Sequence, residues 1–203
     1  MDYIGDIFYN YGTELYANIT NICPCRCNFC IRDIVSGLGT AENLWLKREP
    51  TLKELKELAR DVDFDAFDEL VFCGYGEPTE RLDDLLSLVK FIKEDLGFDI
   101  RIRINTNGLG NLIHGRDTTK DLVGLVDAVS VSLNASSPEK YVNLCNPSFG
   151  LKAWDCILEY AELAKSKNIE VTMSVVGGTI SREDEEICRK IAEDRVKVKF
   201  RVR

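Results

Sequence analysis

Four of the eight cysteines in this 203-residue chain fall within eight residues, in the segment Cys23-Pro-Cys-Arg-Cys-Asn-Phe-Cys30. Thiolates are the ligands that iron–sulfur clusters require, and a compact loop can direct several of them at one cluster. Read as CxxxCxxC, Cys23, Cys27 and Cys30 would bind three irons of a [4Fe-4S] cluster and leave the fourth iron open to a small chelating molecule. The spacing therefore predicts an iron–sulfur site at these three cysteines.

Two other interpretations of these cysteines, a zinc site and a ferredoxin-like carrier, have less support in the sequence. A structural zinc ion takes four ligands, but no second CxxC pair follows and the one histidine, His114, is remote in sequence. A ferredoxin-like carrier would use C-x2-C-x2-C spacing and a smaller fold. Cys25 could replace a neighbour as ligand, giving CxCxxC. Four further cysteines are scattered singly and are expected to be small buried hydrophobes; they are Cys73, Cys145, Cys156 and Cys188.

Composition predicts a folded protein with one domain, residues 1–203. Hydrophobic residues make up 45% of the chain and charged residues 30%. The net charge of −8 opposes nonspecific attraction to phosphate backbones and anionic lipids, so nucleic acid is an unlikely partner. No apolar run approaches the roughly 20 residues of a membrane helix, and residues 1–9 lack a signal-peptide layout. We expect no membrane association and a cytoplasmic location with reduced thiols.

Six runs of β-type composition alternate with helical patterns. The expected strands are residues 15–20, 69–73, 100–106, 128–133, 169–176 and 196–202, and the expected helices are 51–62, 82–96, 118–123, 138–164 with a break near 147–150, and 182–193. Strand followed by helix, repeated, predicts a parallel sheet with helices packed outside it.

Polar and apolar residues alternate along four of these strands, which places the polar ones on one face. The polar positions are Arg101, Arg103, Asn105 and Asn107; Ser130, Ser132 and Asn134; Thr172 and Ser174; and Lys197, Lys199 and Arg201. A parallel sheet covered by helices on both faces would have nearly continuous apolar strands. The pattern instead predicts a barrel with a polar lumen. Its basic residues, Arg101, Arg103, Lys199 and Arg201, predict an anionic ligand group, unless they pair with acidic residues at the barrel floor.

The cysteine segment, with Phe29 before its last cysteine, resembles the CxxxCxΦC signature of the radical S-adenosylmethionine (radical SAM) superfamily. Gly74-Tyr-Gly-Glu-Pro78 resembles the family's GGEP motif, with Tyr75 where the first-glycine region usually begins. Residues 15–33 and 74–79 look closest to the small radical SAM proteins associated with TatD-type nucleases. The resemblance extends over the chain in strand order and implies an α/β fold, a partial (β/α)6 TIM-like barrel with parallel strands.

The resemblance also implies the cofactors and the site. A [4Fe-4S] cluster would be held by Cys23, Cys27 and Cys30, with Cys25 a spectator. S-adenosylmethionine would be bound by Phe29, Gly74, Gly76, Glu77, Pro78, Asn105, Asn107, Ser132 and Asn134. Individually, the asparagines and Ser132 could equally be capping or turn residues.

The implied activity is reductive cleavage of S-adenosylmethionine to methionine and a 5′-deoxyadenosyl radical. This radical would abstract hydrogen from an unidentified, bulky substrate such as a peptide or protein. The electron would come from an external one-electron donor of the flavodoxin or ferredoxin type. The alternative is a noncatalytic iron–sulfur binding or electron-transfer subunit with the same fold.

The long first connection, residues 33–48, carries the apolar segment Leu44-Trp45-Leu46. If these side chains are exposed, the connection is a mobile lid or contact surface at the open side of the barrel. The other interpretation is a satellite of the hydrophobic core.

Overall fold

The computed structural model of the protein describes residues 4–203, which form one seven-stranded sheet in the order β1-β2-β3-β4-β5-β6-β7. The strands are β1 Phe8–Tyr11, β2 Glu14–Ala17, β3 Glu69–Phe72, β4 Arg101–Thr106, β5 Ala128–Ser132, β6 Glu170–Val175 and β7 Lys199–Val202. β2, β3 and β4 pair in parallel, as do β5, β6 and β7. All six predicted strands are therefore confirmed, with shorter bounds.

The α-helices within residues 4–203 are α1 Leu52–Ala59, α2 Leu82–Lys90, α3 Gly110–His114, α4 Pro138–Cys145, α5 Lys152–Ser166 and α6 Arg182–Lys190. Single π-helical segments, Phe91–Asp95 and Ile191–Val196, extend α2 and α6. The predicted helix at 118–123 is wrong: only Thr118–Lys120 forms a 3-10 turn. Asp117 caps that turn through Thr119 N, and Gly124, with φ +77°, follows too soon for a longer helix.

The seventh strand, β1, was missing from the sequence prediction. It pairs antiparallel with β2, in a register that places Tyr9 opposite Tyr16 and Tyr11 opposite Glu14. The two-residue loop between the strands begins with Gly12, whose φ of +66° suits a tight hairpin. β1 covers an edge of β2 that would otherwise expose unpaired backbone groups.

Contacts divide the chain into two compact units. The first consists of the chain up to Cys23, Ile31–Ile104 and Gly124–Asp127. The second consists of Pro24–Cys30, Asn105–Val123 and Ala128–Arg203. The expectation of one domain over residues 1–203 stays a prediction.

One face of the sheet in the first unit builds its hydrophobic core. Leu15, Leu70 and Ile102 lie in register across β2, β3 and β4 and are fully buried. Leu55 and Ala59 of α1 and Leu82, Leu85, Leu88 and Val89 of α2 are buried as well. Each such side chain removed from water contributes roughly 1.5–3 kcal/mol. This core fixes the strands from whose ends the site loops extend.

The opposite face of the first unit begins with an ion-pair network at the amino ends of its strands. Glu69 accepts from Arg101 Nε at 3.1 Å and from Arg103 Nε at 2.7 Å. Arg103 Nη2 also lies 2.8 Å from Glu14 Oε1. Pairing with floor carboxylates, the alternative to an anionic ligand, is therefore confirmed for Arg101 and Arg103.

Above this network the same face is aromatic, so the expectation of a face polar throughout is wrong for β2 and β3. Tyr16, Val71 and Arg103 lie in register across the three strands. A buried group that we call the tyrosine cluster covers this level. Its members are Tyr9, Tyr16, Ala41, Leu44, Val71 and Tyr75, with Leu38 and Cys73 packed against them. The expectation failed because it was drawn from the alternation of the later strands alone.

In the second unit, Val129 and Val131 lie in register with Val171 and Met173, and these four side chains form a buried face. On the other face, Ser130 and Ser132 share register positions with Thr172 and Ser174, as the sequence predicts. Lys199 pairs with Glu170 at 2.7 Å, whereas Arg201 is exposed. An anionic ligand at Arg201 stays a prediction.

The first connection is folded onto the first unit. Leu44 and Leu46 are 2% and 5% exposed, and only Trp45, at 42%, faces solvent. Asn18 Nδ2 donates to Leu44 O at 2.7 Å, and Asn21 Nδ2 donates to Leu46 O at 2.8 Å. The interpretation as a core satellite is therefore confirmed, and the exposed lid is wrong for Leu44 and Leu46. Within residues 4–203, none of the helices combines the length and hydrophobicity needed to cross a bilayer.

Glu69 tests the ion-pair network. Replacing it with alanine leaves Arg103, whose side chain is 13% exposed, without its closest carboxylate. We expect Glu69→Ala to lower the free energy of unfolding by about 2–4 kcal/mol. Glu170→Ala is the matched control, because it removes the first residue of another strand but breaks an exposed pair; its expected cost is about 0–1 kcal/mol. Urea unfolding measures both, and equal losses would contradict the assignment.

Candidate functional site

None of the described cysteines forms a disulfide, and they differ in exposure. Cys23, Cys27 and Cys30 are half-buried, and so is Cys73. The others are buried: Cys25, Cys145, Cys156 and Cys188. The three cysteines of the CxxxCxxC reading are therefore the reachable members of their segment, and the scattered Cys145, Cys156 and Cys188 are buried as predicted.

In the first unit, the glycine-containing loop at residues 74–78 packs directly on the chain that leads to Cys23. Glu77 N donates to Ile22 O at 2.8 Å. A Cβ built on Gly76 would lie 2.4 Å from Thr20 O and 2.7 Å from Ile22 O. Only glycine permits this backbone approach, so the loop and the residues preceding Cys23 hold each other in place.

Gly74 makes a second close approach in the first unit. A Cβ there would lie 2.0 Å from Asn18 Oδ1. Asn18 is buried, and its Nδ2 donates to the Leu44 and Asp6 carbonyls at 2.7 and 3.3 Å, which fixes the amide orientation. Its Oδ1 is buried without a hydrogen-bond donor among the described residues. Asn18 was not singled out from the sequence, and its position one residue beyond β2 is the signal that could have found it.

The Glu77 carboxylate is buried and begins the turn that follows. Its Oε1 accepts from Thr79 N at 3.1 Å and from Thr79 Oγ1 at 2.7 Å. Pro78 occupies the first position of this Pro78–Arg81 turn, where a missing N–H costs nothing. Glu77 therefore has a structural role as a cap, beside the role in cofactor binding that the sequence predicts.

In the second unit, the C-terminal end of α4 holds the cysteine loop. Arg26 N donates to Cys145 O at 3.0 Å, and Asn28 N donates to Leu144 O at 3.0 Å. Ser148 N returns a bond to Pro24 O at 2.8 Å. The last carbonyls of a helix lack partners within the helix, so these bonds satisfy both segments at once.

Cys25 is enclosed in the second unit. Its sulfur lies 3.7 Å from Tyr141 Oη, and Asn107 Nδ2 donates to it at 3.9 Å. Burial first, and then Cys25 and Cys145, raise the pKa of Tyr141, which therefore stays a neutral phenol. These contacts favour the spectator role predicted for Cys25.

The remaining predicted residues have specific positions in the second unit. Asn107 Oδ1 accepts from Leu109 N at 2.9 Å, so this residue also shapes a turn. Asn134 is buried with φ +59°, and its Nδ2 donates to Cys145 Sγ at 3.7 Å. Ser132 Oγ accepts from Arg203 Nη2 at 3.1 Å. Asn105 and Phe29 are half-buried.

The sequence prediction did not identify Tyr141 and Cys145 as neighbours of the cysteine loop. They are four residues apart on α4, so they share one face of that helix. The neighbouring Cys27, and then burial, raise the pKa of the Cys145 thiol. The sequence feature that could have identified them is an aromatic residue and a cysteine four positions apart on one predicted helix.

Within residues 4–203, no three His, Cys, Asp or Glu side chains are arranged to hold a single metal ion. A [4Fe-4S] cluster makes a different demand, because each cysteine binds a separate iron.

These features define an α/β protein of mainly parallel strands, with a thiol-bearing loop after β2 and a glycine-rich loop after β3. The family model described as "Radical SAM superfamily" matches residues 17–191. The chain belongs to the radical SAM superfamily, whose members use a [4Fe-4S] cluster and S-adenosylmethionine.

Curated relatives fall into at least two groups. A GTP 3′,8-cyclase of Corynebacterium glutamicum is 31% identical over 149 residues, covering 68% of this chain and 35% of the relative. A probable dual-specificity RNA methyltransferase RlmN of Clostridium acetobutylicum is 24% identical over 198 residues, covering 91% and 52%. The chain thus spans about a third to a half of the length of these relatives.

Solved structures share the fold. Streptococcus suis SuiB bound to the precursor peptide SuiA superposes with a TM-score of 0.68 at 17% identity, covering 95% of this chain and 39% of that one. Native anSMEcpe with bound AdoMet gives 0.58 at 19% identity, covering 91% and 50%. At these identities the likeness establishes the fold alone, which is the predicted α/β, partial TIM-like barrel.

Gly76 tests the packing of the glycine loop. In Gly76→Ala the new Cβ would overlap two backbone carbonyls that cannot move independently of Cys23. We expect a loss of about 1–3 kcal/mol in the free energy of unfolding, measured by urea titration. Gly177→Ala is the matched control, because its Cβ would meet its nearest atom at 3.2 Å; its expected loss is below about 1 kcal/mol. A Gly76→Ala protein as stable as wild type would refute the close packing.

Proposed function

We propose that the protein binds a [4Fe-4S] cluster through Cys23, Cys27 and Cys30 and is an enzyme that cleaves S-adenosylmethionine reductively. The observation that carries the proposal is the donor set: three half-buried cysteines at family spacing, beside Cys25 whose thiol is enclosed. Membership of the superfamily supports the same assignment.

The residues present fit such a cofactor pair. Thiolates are the required cluster ligands, and the three cysteines at the family spacing are half-buried, whereas Cys25 is buried. Gly74 and Gly76 let the backbone of their loop lie against Asn18 and against the Thr20 and Ile22 carbonyls that precede Cys23. The buried Asn18 Oδ1 and Asn134 Oδ1, which lack donors among the described residues, add acceptor capacity at the strand ends.

When bound, the cofactors supply a one-electron cleavage of the sulfonium C–S bond that gives methionine and a 5′-deoxyadenosyl radical. The chain's part is to bind, orient and shield. Gly74, Gly76, Glu77 and Pro78 would hold the amino acid portion; Asn105, Asn107, Ser132 and Asn134 would donate to or accept from the ribose and carboxylate; Phe29 would pack near adenine. An external flavodoxin- or ferredoxin-type protein would supply the electron.

Substrate assignment stays a prediction of a peptide, protein or other bulky molecule. A solved structure of the same fold contains a precursor peptide, which is consistent with this class. One group of relatives is named RNA methyltransferases, so the prediction that nucleic acid is not a partner also remains open to test.

The activity is tested on anaerobically reconstituted protein with S-adenosylmethionine and dithionite. We expect 5′-deoxyadenosine and methionine in equal amounts, quantified by liquid chromatography and mass spectrometry, because the proposed reaction forms both from one cofactor molecule. Omitting dithionite is the control. A fully loaded protein that forms neither product would instead support the noncatalytic iron–sulfur subunit.

Cysteine replacement tests the ligand assignment. Alanine at Cys23, Cys27 or Cys30 removes a predicted iron ligand, so we expect the cubane cluster to be lost, with iron and sulfide falling from about four each per chain toward zero. Cys25→Ala is the matched control within the same loop and should retain the cluster. Metal and sulfide analysis with visible absorption measures the outcome. Cluster loss in Cys25→Ala alone would reverse the assignment.

A further inference from the structure

Strand β7 of the second unit is strongly basic in an acidic protein. The segment Arg195-Val-Lys-Val-Lys-Phe-Arg-Val-Arg203 has five basic and no acidic side chains, whereas the chain as a whole has a net charge of −8. Within β7, Lys199, Arg201 and Val202 are exposed and Phe200 is half-buried. The strand therefore presents concentrated positive charge to solvent.

The outer edge of β7 offers backbone groups for pairing. The sheet order ends at β7, so within residues 4–203 this edge has no strand beside it. Arg203 N donates to Val175 O, and Gly177 N donates to Arg203 O, both at 2.9 Å, so the backbone groups of Arg203 point toward β6. These directions alternate along a parallel strand, so the backbone groups of Phe200 and Val202 point away from β6. An edge of this kind can pair with an added extended peptide.

Two basic side chains of β7 lie on the polar face of the second unit. Arg201 is in register with Ser174, and residues in register share a face of the sheet. Lys199, two residues earlier, lies on the same face and is 2.7 Å from Glu170. Arg201 is exposed and forms no ion pair with the described residues. An arginine in this state can bind a carboxylate through two parallel hydrogen bonds.

The opposite face of β7 is apolar. Phe200 is half-buried there, and Val202 is 47% exposed. A peptide that pairs with this edge directs its own side chains alternately to the two faces. Acidic side chains at every second position would then meet Arg201 and Lys199, and the intervening apolar side chains would cover Val202.

We propose that the outer edge of β7 binds an extended peptide segment in which acidic and apolar residues alternate. The peptide backbone pairs with Phe200 and Val202, and the acidic side chains pair with Arg201 and Lys199. Nucleic acid is also anionic, but it lacks the amide groups that pair with a strand edge, and the net charge of −8 opposes its binding. The inference goes beyond the proposed function, because this edge needs no cofactor to bind a peptide.

Binding is measured by fluorescence anisotropy on the full chain at low ionic strength. The probe is a short fluorescein-labelled peptide of alternating glutamate and valine. A control peptide of the same composition carries its glutamates in one block and its valines in another. We expect the alternating peptide to bind at least about fivefold more tightly, because only alternation directs all the carboxylates to the basic face of a paired strand.

A charge reversal tests the ion pair. Arg201→Glu replaces attraction by repulsion, so we expect it to weaken binding of the alternating peptide about fivefold or more. Lys152→Glu is the matched control, because it changes the net charge equally at the exposed first residue of α5. Its affinity should stay within about twofold of wild type, since charges remote from the bound peptide are screened.

A proline tests backbone pairing. Val202→Pro removes an N–H that points away from β6, so the β6 bonds remain and we expect binding to weaken about threefold or more. Val202→Ile keeps both the N–H and an apolar side chain and should bind within about twofold of wild type. Circular dichroism checks that each variant is folded. If Val202→Pro is not, the comparison of the two peptides decides whether the edge pairs as a strand.

Four results would overturn the inference: no measurable binding of the alternating peptide, equal binding of the two peptides, wild-type affinity in Arg201→Glu, or equal affinity in folded Val202→Pro and Val202→Ile. Tighter binding of a single-stranded oligouridine than of the peptide would assign the edge to nucleic acid instead. Dimers that sedimentation detects in wild type but not in Val202→Pro would assign it to a second copy of this chain.

Discussion

Backbone hydrogen bonding is the constraint on which the cysteine loop depends. Most of the loop that carries the three thiols lies outside regular helix and sheet, yet its buried polar groups need partners. In the first unit the Ile22 carbonyl is satisfied by Glu77 N. In the second, the N–H groups of Arg26 and Asn28 are satisfied by the free carbonyls that end α4. The loop is therefore held by its surroundings while its thiols remain reachable.

Close approach between backbone segments requires residues without a side chain, which explains the glycines around the loop. Gly76 can lie close to the Thr20 and Ile22 carbonyls only because it has no side chain, and Gly74 lies close to Asn18 for the same reason. Asn18 in turn bonds Leu44 O, so the first connection is tied to the strand end that precedes Cys23. The tyrosine cluster contains both Leu44 and Tyr75, so Leu44 is buried. The Tyr75 hydroxyl donates to Val35 O in the same connection.

The sequence predicted what regular periodicity encodes and missed what depends on three-dimensional neighbours. Alternation along residues 101–106 and 128–132 identified strands correctly, because it reflects burial on one face. The β1 hairpin was missed because its signal is the single glycine at Gly12. Leu44 could not be distinguished from an exposed residue, since the side chains clustered with it, Tyr9, Tyr16, Val71 and Tyr75, come from distant parts of the chain.

The predicted site shows the same difference between features encoded in local patterns and features that depend on three-dimensional neighbours. Motif spacing singled out Cys23, Cys27 and Cys30, which are half-buried, and their role as ligands stays a prediction. It was insufficient for Cys145, because nothing in the sequence says that the end of α4 meets residues 26–28. The asparagines were ambiguous for a physical reason: the amide of Asn107 shapes a turn with Leu109 and contacts Cys25 at the same time.

The side chains at the two ends of the strands differ in charge. At the amino ends, Glu69 is neutralised by Arg101 and Arg103 in the first unit, and Glu170 by Lys199 in the second. Near the carboxyl ends, Asn18, Asn105, Ser132 and Asn134 are neutral. Amides and hydroxyls bind either donors or acceptors, whereas an unpaired charge would favour one sign of ligand. Because Arg101 and Arg103 are already paired with Glu69, we expect recognition at the carboxyl ends to depend on the orientation of these neutral groups together with the buried Glu77.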